Sequence, residues 1–106
     1  MNDMKVRHLI NKNGNCATNQ FVIEGGGHIA TFQSYSSICA IWDGHKLTFG
    51  SDWDFSITTM KHLNIFLSDY DIPLRCAKDI RKAISCGYFK YANGVRIEVV
   101  YDSELN

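Results

Sequence analysis

A chain of 106 residues that is 45% hydrophobic, with six Phe, five Tyr, two Trp and one Pro, has the composition of one folded domain over residues 1–106. That excludes a disordered chain and leaves no room for a second domain. Eleven Lys and Arg balance eleven Asp and Glu, so no net field draws the molecule to nucleic acid and no acidic surplus imitates DNA. The apolar runs are only a few residues long, far below the roughly 20 that a membrane-spanning helix needs, so no membrane is expected as a partner.

The chain opens with a short β-compatible segment over 6–10, and the polar stretch 1–10 lacks the apolar core of a secretion signal. The composition of 11–19, with its asparagines and Gly14, predicts a loop. Phe21 and Ile23 alternate along a strand over 20–24, the triplet Gly25, Gly26 and Gly27 turns the chain, and 28–35 runs back as its partner. After the polar stretch 34–37, a strand over 37–42 carries Ile38, Ile41 and Trp42. Asp43-Gly44 is a type I′ turn signal, and 45–49 returns with Leu47 and Phe49 on one face.

Across GSDWDFS, residues 50–56, strand periodicity stops. Met60, Leu63, Phe66 and Leu67 then recur at helical spacing, with Thr58 or Thr59 as the expected cap. A second helix is predicted with Asp71 as cap, Pro73 in its first turn and Leu74, Ala77, Ile80 and Ile84 as the buried stripe. Gly87 closes it, and 88–91, Asn93-Gly94 and 95–101 form a last hairpin. The expected fold is α+β: a mainly antiparallel sheet of about five to seven short strands with two helices on one face.

Charge is balanced in total but not along the chain. Between 75 and 90, Arg75, Lys78, Arg81, Lys82 and Lys90 face the single acid Asp79, whereas upstream Asp52, Asp54, Asp69 and Asp71 face only Lys61. The face formed by Arg75, Lys78, Lys82 and Lys90, with Tyr88 and Tyr91 beside it, is the best physical candidate for a binding surface. It suits an acidic protein or, more weakly, phosphates with bases stacked on tyrosine. The second candidate is the loop Asp52, Trp53, Asp54, Phe55: an exposed Trp53 and Phe55 would be natural interface anchors, whereas Trp42 is assigned to the core.

Catalytic and metal chemistry find little support in the residue pattern. Two carboxylates, Asp52 and Asp54, are too few for a calcium loop and read as turn or capping residues. The glycine triplet leads into a strand and lacks the lysine and hydroxyl of a phosphate loop, so it reads as a hairpin turn. His8, His28, His45 and His62 are scattered one to an element. Cys16, Cys39, Cys76 and Cys86 show no CxxC or zinc spacing, with Cys39 inside a strand and Cys76 inside a helix as small hydrophobes, and a reduced, cytosolic setting is expected. A Cys39–His28 dyad is open to a hairpin geometry, but the structural reading is preferred. Neither a metal nor a cofactor is expected.

Four segments carry a resemblance: Phe32-Gln33-Ser34-Tyr35-Ser36-Ser37; Trp53-Asp54-Phe55-Ser56 with Thr58-Thr59; Asn64-Ile65-Phe66-Leu67; and Ile84-Ser85-Cys86-Gly87-Tyr88. Together, over about 19–91, they resemble a family of small proteins of unknown function carried by bacteriophages and other mobile elements. The hairpin after Asn93 looks like an extension. The resemblance supplies no active site. It implies a setting in the bacterial cytoplasm and a non-enzymatic, anti-CRISPR-like inhibitor that binds a bacterial defence protein or ribonucleoprotein complex, as a monomer or homodimer. A nucleic-acid-binding accessory protein using the basic face is the alternative, and a small enzyme the least favoured class.

Overall fold

A computed structural model describes residues 4–11, 13–25 and 27–105; Gly26, the middle of the glycine triplet, lies outside them. Local chemistry sets the hairpins. The Asp43 carboxylate accepts from the backbone N–H groups of His45 and Lys46 at 2.8 and 2.7 Å, and Gly44 takes φ +91°, so the chain reverses where the Asp-Gly signal predicts, although the turn is not type I′ because Gly44 alone of the pair has positive φ. Asn93 and Gly94 repeat the device, with Val95 N–H donating to Asn93 Oδ1 at 3.0 Å and Gly94 at φ +89°.

Seven strands result: β1 (Lys5–Ile10), β2 (Cys16–Gly25), β3 (Ile29–Ser34), β4 (Ser37–Trp42), β5 (Lys46–Gly50), β6 (Tyr88–Lys90) and β7 (Arg96–Asp102). They form one sheet in the order β1-β2-β3-β4-β5-β7-β6, antiparallel throughout except for the parallel pair β5 and β7. The helices are α1 (Ile57–Asp69) and α2 (Ala77–Cys86), so the α+β expectation holds in strand number and layers. Val22, Phe32, Ala40 and Phe49 face one another across four neighbouring strands and form the floor of the core. Phe66 of α1 stacks on Phe32 at 5.7 Å between ring centroids, and Phe49 contacts Trp53, over which Arg81 of α2 lies. Both helices therefore cover the same face of the sheet.

Several boundaries differ from the sequence reading. β2 begins at Cys16, inside the stretch expected to be loop, and Asn19 at φ +61° marks where its pairing with β1 is irregular. Ser56, not Thr58 or Thr59, caps α1: its Oγ accepts from Thr59 N–H at 3.1 Å. The second helix starts six residues after Asp71, at Ala77, because Asp71 belongs to the end of α1. It stands at φ +58° just after the C-cap Tyr70, with Ile72 N–H donating to Leu67 O and Asp71 N–H to Ser68 O. Those are the paired bonds of a Schellman motif, with aspartate where glycine is usual. Pro73 and Leu74 lie in the connection outside either helix, and Cys76 is an exposed N-cap rather than a helical residue. The final hairpin is not an appendage, for β7 lies between β5 and β6 inside the sheet.

Candidate functional site

The β3–β4 turn and the 50–56 loop meet at one end of the sheet. Ser34 Oγ and Thr59 Oγ1 are 3.1 Å apart, Ser56 Oγ donates to Thr59 Oγ1 at 3.1 Å, and Ser37 Oγ donates to Asp52 Oδ2 at 2.7 Å. Buried and half-buried hydroxyls thus bond the turn, the loop and the first turn of α1 to one another, the buried Ser34–Thr59 pair being held most firmly because an unpaired hydroxyl there would be costly. This rigid end displays three large apolar side chains: Tyr35 is 56% exposed, Phe55 77% and Ile57 83%. Tyr35 also stands at φ +56°, a conformation that a bulky residue rarely adopts, and its N–H donates to Asn19 O at 2.7 Å.

The four residues of the acidic-aromatic loop take different places. Trp53 is only 4% exposed and packs on Phe49, so it belongs to the core and is not an exposed anchor. Phe55 is the exposed one. Asp52 receives the Ser37 hydroxyl, and Asp54 pairs with Arg81 at 3.6 Å, so each carboxylate already has its own partner. Among the described residues no group of three His, Cys, Asp or Glu is placed to hold a metal ion.

Arg81 joins this end to α2. Its guanidinium lies 5.4 Å from the Trp53 ring centre while it pairs with Asp54, the geometry of a cation–π contact. The exposed side of α2 continues through Lys78 and Lys82, and Arg75 precedes the helix, its N–H donating to Asp79 Oδ2 at 3.1 Å. Arg75, Lys78, Lys82 and Lys90 are all exposed. Lys82 and Lys90 line a groove of about 350 Å³ floored by Leu74, Ala83 and Phe89. Arg75 instead borders a wider groove of about 760 Å³ along the outer side of α1, which Ile57, Met60 and Ile65 also line.

Cys39 is buried with its thiol near the Ser37 and Asp52 carbonyls, and burial pushes that thiol up to about 11, which favours its protonated form at neutral pH. His28 stands in the exposed β2–β3 turn, while His62 is buried with Nδ1 2.8 Å from Thr58 O. Sequence reasoning missed Tyr35 and Ile57. A polar turn and a helix start gave no sign that their apolar residues would share one end of the fold with Phe55.

Neither the curated proteins nor the solved structures contain a match to this chain. A family model does match, over residues 4–84. It begins earlier and stops earlier than the resemblance over 19–91, and it takes in Tyr35, Phe55, Ile57 and Arg81 while leaving out Lys90 and β7. The chain belongs to the family of unknown function DUF8033.

Proposed function

We propose that the protein is a non-enzymatic inhibitor that binds a bacterial defence complex, anti-CRISPR-like, through the end of the sheet bearing Tyr35, Phe55 and Ile57. The observation that carries the protein-binding reading is the exposure of these three side chains on a hydrogen-bonded, rigid end of the fold. Binding energy concentrates in a few large apolar anchors with a polar surround, and rigid anchors lose little entropy on docking. Lys78 and Lys82, on the helix that Arg81 ties to this end, would supply cationic rim contacts, and Asp52 and Asp54 the acidic ones, which favours a protein surface of mixed charge. The choice of a defence complex rests on the resemblance to mobile-element proteins.

Expression of the chain in a CRISPR-armed host should restore plaques to a targeted phage. A folded Phe55→Ser, Ile57→Ser variant should restore few or none. Absence of rescue by the parent chain, together with recovery of no defence component on a tagged bait, would remove this reading.

One observation favours a second reading: Lys82, Lys90 and Tyr88 line the same groove, a combination suited to phosphate and base contact. Nucleic-acid binding that falls steeply with salt and disappears in Lys82→Glu, Lys90→Glu would support it.

A further inference from the structure

The sheet ends at β6, whose outer side is open. Val99 N–H donates to Gly87 O and Tyr91 N–H to Val95 O, both at 2.9 Å, and Phe89 is in register with Ile97. Bonded positions alternate along an antiparallel ladder, so residues 87, 89 and 91 turn their backbone groups to β7, while Tyr88 and Lys90 turn theirs outward. No further strand lies beyond them among the described residues. An edge of this kind is a template for another strand. The groove of about 350 Å³ runs beside it, lined by β6 on one side and α2 on the other. Its floor is apolar, for Leu74, Ala83 and Phe89 are all buried there, whereas Lys82 and Lys90 are exposed. Two lysines against one aspartate, Asp79, leave the lining net positive, and the Asp79 carboxylate already accepts from Arg75 N–H.

We infer that β6 and this groove take an extended, acidic segment of another protein as an added strand. Three features select that occupant. The outward N–H and C=O groups of Tyr88 and Lys90 are matched in spacing by an extended peptide backbone, which supplies both donors and acceptors. An added strand turns every second side chain to the same face as Phe89, and the floor of Leu74, Ala83 and Phe89 suits one apolar side chain there. Lys82 and Lys90 favour acidic residues beside it. A nucleic acid fits less well, because its phosphates would meet the lysines and leave the outward carbonyls and the apolar floor without partners. The Tyr88 ring is also already covered by Arg96, 3.9 Å from its centre, so it offers less to a stacking base. With only two residues of β6 to pair, affinity is modest, with Kd on the order of 10–100 μM. None of Tyr35, Phe55 and Ile57 lines this groove, so it stands apart from the end of the sheet proposed above.

Fluorescence anisotropy with a labelled, end-blocked peptide, Thr-Glu-Val-Leu-Glu-Glu-Thr, tests this. The parent chain should bind it saturably, and the backbone amides of Tyr88 and Lys90 should shift and gain protection from exchange in NMR spectra. Lys82→Glu, Lys90→Glu should weaken binding at least about fivefold. Lys90→Pro, which removes an outward N–H, should weaken it more than Lys90→Gln, which removes the charge alone. The same peptide N-methylated at Val, Leu and the Glu that follows cannot donate to the edge and should not bind, which keeps the test open should Lys90→Pro fail to fold. No saturation by the parent up to about 1 mM overturns the inference. So does equal binding of the N-methylated peptide or of one with Lys in place of Glu, and so does tighter binding of a short oligothymidine that competes with the peptide.

Discussion

Gln20 offers a direct test of how this core is held together. Its side chain is 0% exposed, and neither Nε2 nor Oε1 has a hydrogen-bond partner among the described residues. It shares the helix-covered face with Val22 and sits opposite Ser34, whose hydroxyl is already engaged with Thr59. An amide buried without partners costs about 1–3 kcal/mol. Methionine has nearly the same length and flexibility and lacks that penalty, so Gln20→Met should stabilise the fold by about 1–2 kcal/mol. For a domain near 100 residues each 1 kcal/mol moves Tm by about 4–8 °C, so a rise of roughly 5–15 °C is expected. Thermal unfolding followed by circular dichroism, with urea midpoints at matched slope, measures it. Gln20→Ala separates polarity from volume, since the cavity it leaves should offset most or all of the gain. A Gln20→Met variant that melts below the parent would refute the reasoning, because the amide would then be making bonds that the fold depends on.

Gly50 has its Cα hydrogens packed against the Ile38 carbonyl oxygen and the Leu105 side chain, with no room for a methyl group. Gly50→Ala should lower stability by about 2 kcal/mol or more, read as a fall in Tm. Glu24 accepts from Tyr70 OH at 2.8 Å and from Arg7 Nε at 3.3 Å, and these bonds, Tyr70's first, hold its carboxyl below the usual range. A depressed folded value adds stability above the ordinary carboxylate value, and that stability is lost as pH falls through the folded one. Tyr70→Phe should therefore raise the Glu24 midpoint in an NMR titration and lower Tm at neutral pH, by a margin that narrows below about pH 4. Brief treatment with an alkylating agent should modify the exposed Cys16, Cys76 and Cys86 and spare buried Cys39 until the chain is denatured; mass spectrometry counts the adducts.

The parts of the fold legible in the sequence are those set by short-range chemistry. Asp43-Gly44, Asn93-Gly94 and the C′ glycine Gly87 at φ +82° each bring their own turn geometry, and the alternation of Leu47 with Phe49 named a buried face correctly, whereas Phe21 and Ile23 stand on the face opposite buried Gln20 and Val22. What stayed hidden depends on distant partners. The pairing of β7 with β5 joins residues on either side of both helices, and no local periodicity states where a closing hairpin docks. Asp71 reads as a helix cap in sequence, yet ends the preceding helix because Leu67 and Ile72 are both buried and draw the chain back over α1. Gly50 looks like a loop glycine, although its role is close approach to the neighbouring strand. The candidate site divides along the same line. Phe55 and the basic residues were visible from composition, whereas the burial of Trp53, its contact with Arg81 and the arrival of Tyr35 beside the loop follow only from the fold.

Tyr35, Phe55 and Ile57 are proposed as the contact surface for a bacterial defence complex. Titrating the purified CRISPR effector complex recovered by the parent chain against the parent and against Phe55→Ala in a calorimeter tests it most directly. The account predicts saturable binding for the parent, affinity at least about tenfold weaker for Phe55→Ala, as expected of an interface anchor, and unchanged Tm for the variant, because Phe55 is exposed. Equal affinity of the two proteins, or no binding by the parent, would contradict it.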